Sequence, residues 1–158
     1  MSLEIASAYL KERGFEDRIM VFAVSSATVA LAAEAVGTEP ERIAKSLTFW
    51  VGGQPALIVC AGDAKVSNGK FKAQFGEKAR MLSLEEVHER IGHDVGGVCP
   101  FGVEPDVQVY LDESLKRFDV VYPACGSSNS AVRLTLPELE VLAAPKGWVD
   151  VTVIPEPA

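Results

Sequence analysis

Two apolar runs, Leu47 to Val51 and Ala56 to Ala61, stand on either side of Gly52-Gly53. Paired glycines reach the positive φ angles that a tight two-residue hairpin turn requires, so the segment reads as an antiparallel hairpin. The rest of the chain alternates helical and strand patterns at short intervals. Leu3 to Arg13 has helical apolar spacing, with Gly14 as its stop. Ile19 to Val24 reads as a short buried strand. Ser25, Ser26 and Thr28 offer capping oxygens to an alanine-rich helix that ends near Gly37. Pro40 suits the first turn of another short helix. Asn68 is expected to cap a helix running to Gly76, and Ser83 with Glu86 forms a capping-box pattern. Strands are expected at Val107 to Leu111, Val120 to Tyr122, Val132 to Leu134 and Val149 to Ile154, with a helix opening at Leu136-Pro137. The expected fold is therefore a single α/β domain spanning residues 1–158. A mixed sheet surrounded by helices fits the hairpin better than a doubly wound parallel sheet does.

The length of 158 residues, with 48% hydrophobic and 23% charged residues, is ordinary for one globular domain. No apolar run approaches the roughly 18 residues of a membrane span. Met1 to Ile5 lacks the basic-then-apolar order of a signal peptide, which makes the cytoplasm the expected location. The net charge of −7 argues weakly against a nucleic-acid partner, although local charge matters more than the total. Cys60, Cys99 and Cys125 fit no metal or redox spacing and read as reduced thiols.

Four features carry possible chemistry. Lys45, in Ile43-Ala44-Lys45-Ser46-Leu47, sits where a short helix gives way to an apolar strand. It is either a substrate clamp or catalytic group, or a lysine that snorkels from a sheet edge. The loop Gly96-Gly97-Val98-Cys99-Pro100-Phe101-Gly102 fixes an unusual backbone. Its main-chain N–H groups can cradle an anion or a developing oxyanion, or the loop is a plain tight connection. Gly126, Ser127, Ser128 and Asn129 can line a polar pocket, and are equally what a surface turn contains. Lys65, Lys70, Lys72, Lys78 and Arg80 form a basic stretch with Glu77 as its one acid. That stretch is either a phosphate-binding face or a solvated helix surface. His88 and His93 have no spaced partners that would make a metal site, and no base adjoins Cys99 that would make it a nucleophile.

Taken in order, these segments resemble the YbaK/ProX family of aminoacyl-tRNA editing domains, relatives of the editing insertion of bacterial prolyl-tRNA synthetases. The resemblance is carried by Ser26 to Gly37, Arg42 to Leu47, Cys60-Ala61-Gly62-Asp63, Lys78 to Met81, the Gly96 to Gly102 loop and the polar loop from Gly126. It implies a curved, partly barrel-like mixed sheet around a pocket. Lys45 matches the family's functional lysine, and Gly96 and Pro100 match its Gly-x-x-x-Pro loop. Some members carry an acid in the polar loop. The equivalent here is Ala131, a departure that weakens transfer of any carboxylate-dependent step.

The implied activity is hydrolysis of a mischarged aminoacyl-tRNA, with tRNA for proline carrying cysteine, alanine or serine as the expected substrate. Prolyl-tRNA synthetase is a possible partner, and no metal or cofactor is called for. Lys45, Gly96, Gly97 and Pro100 are the candidate catalytic residues. Phe22, Thr28, Phe49, Val98, Cys99 and Phe101, with Gly126 to Asn129, are candidates for the substrate pocket. Lys65, Lys70 and Lys72 are candidates for holding the acceptor stem by charge. A binder of aminoacyl-adenylates or tRNA ends that does not hydrolyse them is the alternative.

Overall fold

The computed structural model describes residues 2–93 and 95–155. In chain order the elements are α1 (Ser2–Glu12), β1 (Ile19–Val21), α2 (Val29–Val36), β2 (Ile43–Val51), β3 (Gln54–Ala61), β4 (Lys65–Val66), α3 (Asn68–Phe75), α4 (Leu84–Glu86), β5 (Gln108–Asp112), β6 (Val120–Pro123), β7 (Ser130–Val132), β8 (Leu134–Thr135), α5 (Leu136–Ala143), β9 (Gly147–Val149) and β10 (Thr152–Val153). α4 runs on into a wider-wound turn, Val87–Ile91. No helix among the described residues is long and apolar enough to cross a membrane.

The expected hairpin is the centre of the sheet. β2 and β3 pair antiparallel from Ala44↔Ala61 to Val51↔Gln54, turning on Gly52 and Gly53, both at positive φ. β6 lies parallel to β2, and β5 parallel to β3. The curled, half-barrel sheet runs β8-β6-β2-β3-β5-β9. Two small antiparallel pairs, β1 with β7 and β4 with β10, form separate two-stranded sheets. The large sheet is the mixed sheet that the Gly-Gly signal predicts.

β3 is buried from Pro55 to Ala61, because both of its faces are covered. Leu57, Val59 and Ala61 join the main core with Leu10, Phe101 and Leu139. Ile58 joins a second core with Phe49, Phe71 and Val151. There the rings of Phe49, Phe71, Phe75 and Tyr110 form a chain with centroids 4.9, 4.8 and 5.2 Å apart. Each fully buried large side chain contributes about 1.5–3 kcal/mol through area removed from water.

Four expectations need correcting, the first being the buried strand at Ile19 to Val24: β1 stops at Val21, and Val21 and Val24 stand exposed. Ser67, not Asn68, caps α3, since its Oγ accepts from Lys70 N at 3.3 Å, and Asn68 is the first helical residue. Val132 to Leu134 is not one strand. The ladder changes partner at Arg133, with β7 on β1 and β8 on β6. Val149 to Ile154 is likewise divided. Buried Asp112 accepts from Val151 N at 2.9 Å and Thr152 Oγ1 at 2.7 Å, which turns the chain from β9 toward β10. The Ser83–Glu86 capping box forms as expected. A second box, Thr135 with Glu138, starts α5 and was not read from the sequence. Arg18 grips that same Glu138 with two N–H groups at 2.8 and 3.0 Å.

Candidate functional site

A cavity of about 310 Å³ opens between β2, the start of α2 and the glycine loop. Thr28 forms part of its wall and also caps α2, its Oγ1 accepting from Leu31 N at 3.2 Å. Small side chains, among them Ala32, Ala44, Ser46, Ala124 and Ala131, share the rest with Ile43, Leu47, Leu82, Val87, Val98 and Tyr122. Larger apolar groups, Met81, Leu84 and Val95, stand exposed at its edge. Among the described residues no carboxylate and no histidine lines the cavity, and Lys45 is its one cationic side chain.

Lys45 lies inside β2, directly opposite Cys60, because the strand starts earlier than the apolar run suggests. Its Nζ donates to Gly62 O at 3.3 Å and to Ala64 O. Both acceptors lie in the turn after β3. An ammonium has three donors, so this anchorage aims the charge while leaving one N–H for a ligand. The turn is itself pinned. Arg117 holds Asp63 with two hydrogen bonds of 2.6 and 3.1 Å, and this holds the Asp63 carboxyl below its ordinary range. Gly62 cannot carry a side chain, since a β-carbon there would stand 2.0 Å from Pro40 O.

The glycine loop enters the site through its backbone. Gly96, at φ +91°, lines the cavity together with Val98. Gly97 lies against the polar loop, where a β-carbon would be 2.3 Å from Ser127 N. Close approach of two backbones, rather than flexibility, is what these glycines provide. The polar loop is tied in turn to the segment before α2. Ser26 N donates to Ser128 O at 2.6 Å, Phe22 N to Asn129 O at 2.7 Å, and Asn129 Nδ2 to Phe22 O at 3.1 Å. Ser127 Oγ is spent within its own loop, on Asn129 Oδ1 and Ser130 Oγ.

The candidates therefore separate. Lys45, Gly96, Thr28 and Val98 meet at the cavity. Gly97, Phe22, Gly126, Ser127, Ser128 and Asn129 line none of it and act as the frame behind it. Pro100, Cys99 and Phe101 are buried away from the lining, and Phe101 belongs to the main core. Buried His93 orders this part of the loop by donating from Nε2 to Phe101 O at 2.6 Å, and the same nitrogen lies 3.6 Å from Cys99 Sγ, so a ring base does adjoin Cys99, contrary to the sequence expectation. Phe49 faces a second cavity instead. Lys65 borders that second cavity, Lys72 is exposed, and Lys70 is engaged by Asp150 Oδ1 at 3.0 Å and Thr152 O at 2.9 Å. Burial pushes the thiols of Cys60 and Cys125 up to about 12 and about 11, and that of fully buried Cys99 further still. None is a thiolate near neutral pH. The sequence reading missed Ser46, Thr48 and Tyr122 in the wall and the carbonyls of Gly62 and Ala64.

Residues 24–142 match the model of the aminoacyl-tRNA editing domain. The chain belongs to the aminoacyl-tRNA editing family. Among curated relatives, this editing domain is 53% identical over 152 residues to the uncharacterized protein YwhH of Bacillus subtilis, covering 96% of this chain and 97% of that one. It is 32% identical over 115 residues to the proline–tRNA ligase of Halalkalibacterium halodurans, covering 72% of this chain but only 20% of the ligase. Among solved structures, it matches a candidate trans-editing enzyme for prolyl tRNA synthetase with a TM-score of 0.86 at 31% identity, covering 96% of this chain and 97% of that one. The editing domain thus shares its fold with a protein of its own size and resembles an internal segment of a far longer synthetase.

Proposed function

We propose that this editing domain acts in trans as a deacylase, hydrolysing the ester between a small non-cognate amino acid and tRNA for proline. The observation that carries the reading is the cavity itself. Small groups share its lining with larger apolar ones such as Ile43, Leu47, Leu82 and Val98, and a single anchored cation, Lys45, stands at its side. An aminoacyl ester is already activated, so the protein has to position it, admit water and stabilise charge as it develops. Lys45 offers its remaining N–H to the carbonyl or phosphate side of the ester. The main chain around Gly96 faces the same space. With no carboxylate or histidine in the lining of the described residues, proton transfer falls to water and to the substrate's own amino, hydroxyl or thiol groups.

A second pocket of this kind answers a physical need. A synthetase rejects a side chain one methylene smaller by only about 1–3 kcal/mol, so errors have to be removed afterwards. Alanine, serine and cysteine all fit a space of the cavity's volume. Such a protein works in the cytoplasm, beside the prolyl-tRNA synthetase that makes the error.

Deacylation of tRNA for proline charged with alanine, cysteine, serine or proline tests the reading. Loss of one non-cognate label, with prolyl-tRNA spared, is the expected result. No loss above buffer for any label would refute it. Ala131, where some relatives by resemblance carry an acid, favours a second reading, a binder of aminoacyl ends without turnover. Retention of the charged tRNA in a gel shift without deacylation would select that one.

A further inference from the structure

Gly62 O and Ala64 O, the two carbonyls that hold Lys45 Nζ, stand on either side of Asp63 in the turn after β3. Wherever this turn sits, the ammonium sits with it, and the turn is fixed from outside the cavity. A short 3-10 turn, Glu113–Arg117, grips it at two points. Ala61 N donates to Ser114 Oγ at 3.0 Å. Arg117 donates to both carboxylate oxygens of Asp63, from Nη1 at 3.1 Å and from Nη2 at 2.6 Å. Its remaining nitrogen, Nε, donates to Ser114 O at 3.0 Å, so all three guanidinium nitrogens are engaged. The 113–117 turn is rooted in its own right. Ser114 N donates to Oδ2 of fully buried Asp112 at 2.9 Å, and Leu115 belongs to the main core.

The Arg117–Asp63 pair is a weak source of stability, because its side chains remain 38% and 26% exposed and solvent screens such pairs. Its geometry is that of a rigid planar fork on one carboxylate, which fixes distance and direction together. Arg117 lines neither cavity, so it does not meet the ester itself. We infer that Arg117 is a positioning residue for the editing reaction: through Asp63 it sets the two carbonyls that aim the Lys45 ammonium into the cavity. The inference rests on the editing reading above. A lysine ammonium rides on a flexible four-carbon stem, and only fixed acceptors hold it in one place. Displacing a group that acts on the reacting atoms by about 1 Å costs about a hundredfold in rate, and a loosened turn costs part of that. The guanidinium charge is spent on Asp63, which separates this role from a phosphate contact. A phosphate contact would act on KM, whereas a role through Lys45 acts on kcat.

Arg117→Gln, alone and combined with Lys45→Met, tests the assignment on tRNA for proline charged with alanine, cysteine or serine. On whichever label the unaltered protein removes, Arg117→Gln should lower kcat about tenfold and leave KM unchanged. In the Lys45→Met protein the same change should cost nothing further, because the group it acts through is gone. An additive loss, an unchanged kcat, or a raised KM with kcat kept would each overturn the positioning role and leave editing intact. The side-chain ammonium resonance of Lys45, identified by its absence in Lys45→Met, gives a second readout that needs no turnover. Arg117→Gln should shift or broaden it, and an unmoved resonance would overturn the inference. If the unaltered protein removes none of the three labels, the editing reading fails. The ammonium resonance then decides by itself whether Arg117 holds the lysine in place.

Discussion

Gly97 approaches Ser127 so closely that a β-carbon on the glycine would stand 2.3 Å from the serine nitrogen. The contact joins the glycine loop to the polar loop behind the cavity. Gly97→Ala must push two backbones apart, and overpacking of this kind costs about 1–3 kcal/mol or more. Thermal unfolding should show the loss. Gly147→Ala, where a β-carbon meets open space, should change stability by less than about 0.5 kcal/mol. Equal effects of the two would show that the loops do not interlock.

Lys45→Met removes the one cationic side chain in the described cavity lining but keeps an unbranched apolar stem. Deacylation should fall by about a hundredfold or more, the scale seen when one preorganised donor is lost. The unfolding temperature should move little by comparison. Full activity in Lys45→Met would remove the lysine from the mechanism.

The Asp63–Arg117 pair gives an acid-side dependence with a definite sign. The Arg117 hydrogen bonds lower the folded-state pKa of Asp63 below its unfolded value of about 3.9. Its stabilisation is therefore present above that value and is lost as pH falls through the lower, folded pKa. In Arg117→Gln that increment should be gone at neutral pH, so unfolding temperature should fall less steeply in the acid range. Parallel melting curves for the two proteins between about pH 6 and pH 3 would refute the pair's role.

Phe71 is fully buried between Phe49 and Phe75. Phe71→Ala should cost about 3–5 kcal/mol, measured by denaturant unfolding. The large penalty is expected because the rings of Phe49 and Phe75 would both lose their contact with it.

What was legible from the sequence follows the range of the forces involved. The Gly52-Gly53 hairpin, the Thr28 cap and the Ser83–Glu86 box are set by residues a few positions apart, and all three formed as read. Lys45 and Gly96 were found through the family resemblance, and they do meet at one cavity. Misplaced features depend on distant partners. The strand breaks at Arg133 because β7 pairs with β1 and β8 with β6, and Asp112 bends the C-terminal strand from 39 residues away. Cys99 and Phe101 have the right hydrophobicity for a pocket wall, but hydrophobicity cannot tell a wall from a core.

The β2–β3 hairpin also sets an order of events. Ala44 meets Ala61 across one short turn, whereas Ala56 meets Gln108 only after a long excursion of the chain. Closing short loops costs less entropy, so the hairpin should assemble early and serve as the template on which β5 and β6 dock late. Substitutions such as Leu57→Ala should slow refolding, while Val109→Ala should chiefly hasten unfolding. Stopped-flow kinetics showing the reverse would place the nucleus elsewhere. On this ordering the lysine strand stands ready before the rest of the cavity closes around it.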